Sequence, residues 1–89
     1  MKRITVHFSG RVQGVGFRYT TERVAGDFAV TGYVKNLSDG RVEMVAHGED
    51  REIDRFLGAV QEAMAGFIRH TDVAESTSDS RYSQFAVAF

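Results

Sequence analysis

The chain has 89 residues, the size of one domain, and its 43% hydrophobic and 26% charged composition describes a folded globule with one modest core. It contains no cysteine, which excludes disulfide frameworks, thiolate metal sites and cysteine nucleophiles. Its formal net charge is −1, split into a basic half (seven Lys/Arg against three Asp/Glu over residues 1–41) and an acidic half (four against nine over 42–89), whereas a nucleic-acid protein of this size is usually basic overall.

Ile4, Val6 and Phe8 alternate with Thr5, His7 and Ser9, the period-two pattern of a half-buried strand. The strand runs into GRVQGVGFR at 10–18, where three glycines in seven positions mark a loop of unusual backbone angles. Phe17, Thr21, Val24, Ala25 and Phe28 then follow the spacing of an amphipathic helix. Residues 30–36 and 41–47 read as two strands, the second with Val42, Met44 and Ala46 on one face, joined through LSDG, whose Asp-Gly pair signals a hairpin. A second helix is expected from Asp50, read as its cap, with Glu52 in its first turn and Gly66 as its stop. Ile53, Phe56, Leu57, Val60, Met64 and Phe67 form its apolar stripe. Residues 68–75 read as a weaker strand and 76–80 as a polar turn; Phe85, Val87 and Phe89 alternate again in a short final strand.

The order βαββαβ predicts an α+β, ferredoxin-like two-layer sandwich over residues 1–89: an antiparallel sheet covered by two helices on one face, with a short C-terminal strand. That fold hosts many activities and selects none.

The 10–18 loop carries the first chemical signal. A glycine-rich turn between a strand and a helix lets backbone N–H groups and the helix N-terminus converge on one point, a ready anion site. Arg18 adds a planar guanidinium able to hold two phosphate oxygens. The same composition also suits a glycine-rich corner carrying a surface arginine. Two familiar phosphate motifs are excluded: a P-loop needs Lys-Ser/Thr where Val15 and Gly16 stand, and a dinucleotide fingerprint needs a small residue where Tyr19 sits.

Asn36 is the second candidate. Its carboxamide can hold a water molecule, although beside a hairpin an asparagine more often bonds its own backbone. His7, His47 and His70 share no metal-ligand spacing. Asp50, Glu52 and Asp54 read as a solvated helix face, and Ser9 has no His–Asp partners for a nucleophilic triad.

Two segments, GRVQGVGFR at 10–18 and GYVKNLSDGRVEMVAHG at 32–48, resemble the two signatures of the acylphosphatase family. The glycines, Val12, Gln13, Phe17, Arg18, Asn36, Gly40 and Val42 all fall in register. The resemblance implies hydrolysis of an acyl phosphate to carboxylate and inorganic phosphate, without metal or cofactor. It implies catalytic roles for Arg18 and Asn36, the first on the phosphoryl group and the second on the attacking water. It also makes Val12, Gln13, Gly14, Val15, Gly16 and Phe17 the substrate-binding loop.

One departure is visible: the Gly-Pro common after the second helix of the family is absent, since Gly66 precedes Phe67 and the chain has no proline. The path into the fourth strand is therefore expected to differ. No apolar run approaches the ~18 residues of a membrane span, and the opening residues lack an apolar leader. The expectation is a cytoplasmic monomer acting on a small-molecule acyl phosphate, with no nucleic acid or membrane partner. The alternative is a phosphate-binding module of the same fold without turnover; acylphosphatase-like domains also occur within larger enzymes. A ferredoxin-like RNA binder is a third reading, but it wants a basic surface and exposed aromatics on the sheet.

Overall fold

A computed structural model describes residues 1–76 and 82–89. The elements follow in the expected order: β1 (Lys2–Gly10), α1 (Phe17–Ala25), β2 (Val30–Asn36), β3 (Val42–Gly48), α2 (Asp50–Ala63), β4 (Ile68–Ser76) and β5 (Phe85–Ala88). They form one five-stranded sheet in the order β4-β1-β3-β2-β5. The pairs β1–β3, β1–β4 and β2–β3 are antiparallel, while β5 runs parallel to β2. The sheet is therefore mixed where a wholly antiparallel one was expected. Alternation of Phe85 and Val87 fixes which face each side chain takes but carries no information about the neighbouring strand; Phe89, expected in the same alternation, lies beyond β5 and is exposed.

Alternation sets the core. Ile4, Val6 and Phe8 of β1 are at most 1% exposed, as are Val42, Met44 and Ala46 of β3. Against them pack Phe17 and Ala25 of α1, Ile53, Phe56 and Val60 of α2, and Met64 just beyond α2. Each fully buried side chain of this size contributes about 1.5–3 kcal/mol. The ring centroids of Phe8 and Phe17 lie 5.0 Å apart, so the first residue of α1 is fixed to the middle of the sheet. Phe56 meets Phe28 and Phe85 in the same way, at 5.9 and 5.3 Å.

Three local expectations are corrected. Asp50 is not a capping residue: α2 begins at Asp50, and the position before it is Glu49, which makes no side-chain cap bond. The side chain that does bridge is Glu52, whose Oε1 accepts the Ala29 N–H at 2.9 Å and ties α2 to the start of β2. Phe28 lies beyond the end of α1 at Ala25, yet still packs on the core. Helix α2 ends at Ala63 rather than at Gly66, and the Phe67 and Ile68 N–H groups fold back onto the Met64 carbonyl. This turn supplies the route into β4 without the family's Gly-Pro. The expected polar turn at 76–80 lies, apart from Ser76 at the end of β4, outside the described residues.

The face away from the helices is polar. Glu43 accepts hydrogen bonds from the Tyr33 hydroxyl at 2.7 Å and pairs with His7 Nε2 at 3.0 Å, the three residues coming from adjacent strands. Burial works to raise the Glu43 carboxyl, but the bonds from Tyr33 and His7 outweigh it and hold it below its ordinary value. Burial, then the bond to Glu43, pushes the Tyr33 phenol up to about 12.

Candidate active site

The loop after β1 is pinned where it leaves the strand. Val12 is fully buried, and the Arg11 N–H donates to the Phe67 carbonyl at 2.9 Å. Gly14 and Gly16 both take φ of +76°, the left-handed region where a side chain is strained. These two residues turn the chain so that Gly16 becomes the N-cap of α1.

The first helical bond runs from the Thr20 N–H to the Gly16 carbonyl at 3.0 Å. The N–H groups of Phe17, Arg18 and Tyr19 therefore stand outside the helical ladder. No side chain caps them, and no acidic residue lies in the first turn. Unpaired N–H groups at the positive end of a helix form a site for an anion.

These residues open into a concavity of about 220 Å³ lined by Val12, Gly14, Gly16, Phe17, Arg18, Tyr19 and Asn36. The two side chains singled out for chemistry thus come together, although 18 positions separate them in the chain. None of the lining residues is Asp, Glu or His.

Arg18 is half-buried and held from the sheet edge. One terminal nitrogen donates to the Ala88 carbonyl at 3.5 Å, and its Cζ lies 5.0 Å from the Phe89 ring centroid and 5.9 Å from that of Tyr19. Flanking rings restrain a guanidinium while leaving N–H groups on its edge for an anion.

Asn36 ends β2, opposite Val42. Its Oδ1 is buried and has no hydrogen-bond partner, so it does not bond its own backbone. The turn role belongs to Asp39, which accepts the Arg41 N–H at 3.1 Å and the Arg41 Nε at 2.8 Å. Those two bonds hold the Asp39 carboxyl below its ordinary value. Asn36 thus lines the pocket and carries a buried amide oxygen without a partner, which is unusual.

The remaining loop residues divide. Val15 lies outside the lining and packs against the core. Gln13 is also outside it: its Nε2 donates to the carbonyls of Leu37 at 2.8 Å and Arg41 at 3.0 Å, tying the loop to the hairpin that follows Asn36. Tyr19 and the Ala88–Phe89 contacts to Arg18 were not expected from sequence. Tyr19's place in the first turn of α1 is the signal that could have shown it facing the same mouth as Arg18.

A model of the Acylphosphatase family matches residues 4–87. The acylphosphatase of Archaeoglobus fulgidus is 43% identical over 90 residues, covering 100% of both chains. The crystal structure of the acylphosphatase from Bacillus subtilis superposes with a TM-score of 0.90 at 33% identity, again over 100% of both chains. Full-length HypF, solved in a phosphate- and nucleotide-bound form, matches with a TM-score of 0.88 at 27% identity, over 99% of this chain and 12% of that one. Among the described residues, no helix is long and apolar enough to cross a membrane. With a family match, full-length relatives and a shared ferredoxin-like architecture all in agreement, this chain is an enzyme of the acylphosphatase family.

Proposed function

We propose that this pocket hydrolyses the carboxyl–phosphate bond of a small acyl phosphate by direct attack of water on phosphorus, without a metal ion. The observation that carries the reading is the shared concavity of Arg18 and Asn36, with the Asn36 Oδ1 buried and unpartnered. Arg18 and the N–H groups of the loop and first helical turn hold the phosphoryl oxygens. The Asn36 carbonyl accepts a hydrogen bond from the attacking water and aims its lone pair at phosphorus. The water oxygen bonds to phosphorus as the phosphorus–acyl oxygen bond breaks, and the carboxylate leaves with the bonding pair. The water's proton passes to a phosphoryl oxygen of the substrate itself.

This division of labour suits the bond. A carboxylate leaving group has a pKa of about 4–5, so it departs unprotonated and requires no general acid. A loose phosphoryl-transfer transition state is stabilised mainly by positioning and by donors around the equatorial oxygens. The pocket lining supplies one arginine, backbone N–H groups and one amide. The reading includes a monomer in the cytoplasm, with the substrate as its partner.

The test is hydrolysis of benzoyl phosphate in EDTA by wild type, Arg18→Gln and Asn36→Ala. Arg18→Gln is expected to lower kcat/KM by about a thousandfold or more, and Asn36→Ala to lower kcat by about a hundredfold with a smaller change in KM. Near-normal kcat in Asn36→Ala contradicts the water-orienting role. A folded wild type that binds phosphate but turns over no acyl phosphate selects a binding module.

A further inference from the structure

Among the described residues, four large apolar side chains are substantially exposed: Met1, Tyr19, Val73 and Phe89. Two of them, Tyr19 and Phe89, lie against Arg18. Tyr19 also lines the pocket while leaving 58% of its surface in solvent, so it forms part of the mouth. Core packing does not account for it. The buried stripe of α1 is Phe17, Thr21 and Ala25, and position 19 falls off that stripe.

A phosphoryl group in the pocket meets Arg18 and the loop N–H groups with its free oxygens. The floor is closed by Val12 and Phe17, both at most 2% exposed. The remaining bond, to the acyl oxygen, therefore leads outward past the exposed part of the lining. That part is Gly14, Gly16 and Tyr19, and its one side chain is an aromatic ring, a surface suited to flat apolar groups and indifferent to small ones.

We propose that the Tyr19 ring is the platform for the acyl group, and that it biases the site toward aromatic acyl phosphates over acetyl-sized ones. The catalytic half of this inference rests on the hydrolytic reading above; the binding half does not. The ring is the working part, so Tyr19→Phe keeps the preference and Tyr19→Ala removes it.

The experiment has two arms. Dissociation constants of the non-hydrolysable 2-oxo-2-phenylethylphosphonate and 2-oxopropylphosphonate are measured by calorimetry. In parallel, kcat/KM is measured for benzoyl and acetyl phosphate. The phenyl-to-methyl preference in each arm is expected to fall by about fivefold in Tyr19→Ala and to stay within about twofold of wild type in Tyr19→Phe. Tyr19→Gln, which keeps a good helix former at the position, serves as a second ring-deleting variant should the alanine protein fail to fold. An unchanged preference in the folded ring-deleting variants overturns the proposal, because a ring that merely braced Arg18 would alter both members of each pair alike. If wild type turns over neither substrate while the calorimetric preference still falls, the hydrolytic reading fails and the Tyr19 contact stands.

Discussion

Gln13 and Leu37 are joined by a 2.8 Å hydrogen bond from the Gln13 side-chain amide to the Leu37 carbonyl. The second hydrogen of the same amide reaches the Arg41 carbonyl, at 3.0 Å. Leu37 follows Asn36 directly, and the Leu37 N–H itself donates to the Arg41 carbonyl at 2.8 Å. One side chain of the 10–18 loop therefore sets the separation between the elements that carry Arg18 and Asn36.

Removing this clamp should act on catalysis more than on folding. The two carbonyls can be hydrated when Gln13 is replaced, so Gln13→Ala is expected to cost about 1 kcal/mol of stability. The expected loss in kcat/KM is about tenfold or more, since a displacement of about 1 Å at a catalytic group is costly. Gln13→Glu can donate neither bond and sets a negative charge on the 10–18 loop, so its loss in kcat/KM should exceed that of Gln13→Ala. Thermal melts alongside steady-state kinetics of both variants check the split.

Gly16 separates backbone strain from steric clash. A Cβ added there meets no atom within 4 Å, yet φ is +76°. Gly16→Ala is therefore expected to cost about 1–2 kcal/mol from the left-handed backbone alone. Relaxation of the loop would turn the N–H groups at the start of α1, so affinity for inorganic phosphate should fall as well. Denaturant unfolding and phosphate titration measure the two effects.

The polar face gives stability a defined pH dependence. The folded Glu43 carboxyl lies below its ordinary value, so its contribution is present above the unfolded value of 4.5 and is lost as pH falls through the lower folded one. The Tyr33 phenol moves from 10.0 up to about 12 on folding; its contribution is complete below the unfolded value and is lost as pH rises toward the folded one. Tyr33→Phe should abolish that alkaline loss, move the acid transition upward, and cost about 1–2 kcal/mol at neutral pH through the lost bond to a carboxylate. Unfolding midpoints across pH for both proteins decide this.

Turnover should be insensitive to the histidines. His7 is engaged with Glu43, His47 is 8% exposed on the same sheet face, and His70 lies on exposed β4; none lines the pocket. After correction for the substrate's own ionisation, kcat is expected to show no step near pH 6.5, the usual range of an imidazole. A step that disappears in His47→Gln would contradict this.

Much of the architecture was legible because strand and helix periods are local. Ile4, Val6 and Phe8 declare their face within five residues, and Ile53, Phe56 and Val60 declare theirs within two turns. Neighbour relations were less legible. Nothing in Phe85–Ala88 says that this strand will lie parallel to β2, and nothing in Gln13 says that its partners sit at 37 and 41. Arg18 and Asn36 could be named from the signatures they sit in, but their meeting depends on the β1–β3–β2 order of the sheet. The Asp50 expectation failed for a different reason: an acidic residue in a first turn favours the helix dipole without occupying the cap, and local sequence does not separate the two roles.

The most direct test of the mechanism is hydrolysis of benzoyl phosphate by the wild-type enzyme in water enriched in ¹⁸O. In the proposed mechanism, water held by Asn36 attacks a phosphoryl group gripped by Arg18 and the phosphorus–oxygen bond breaks, so the label is expected in inorganic phosphate, with the released benzoate unlabelled. Label in the benzoate would place the attack at the acyl carbon and contradict the water-directing role of Asn36.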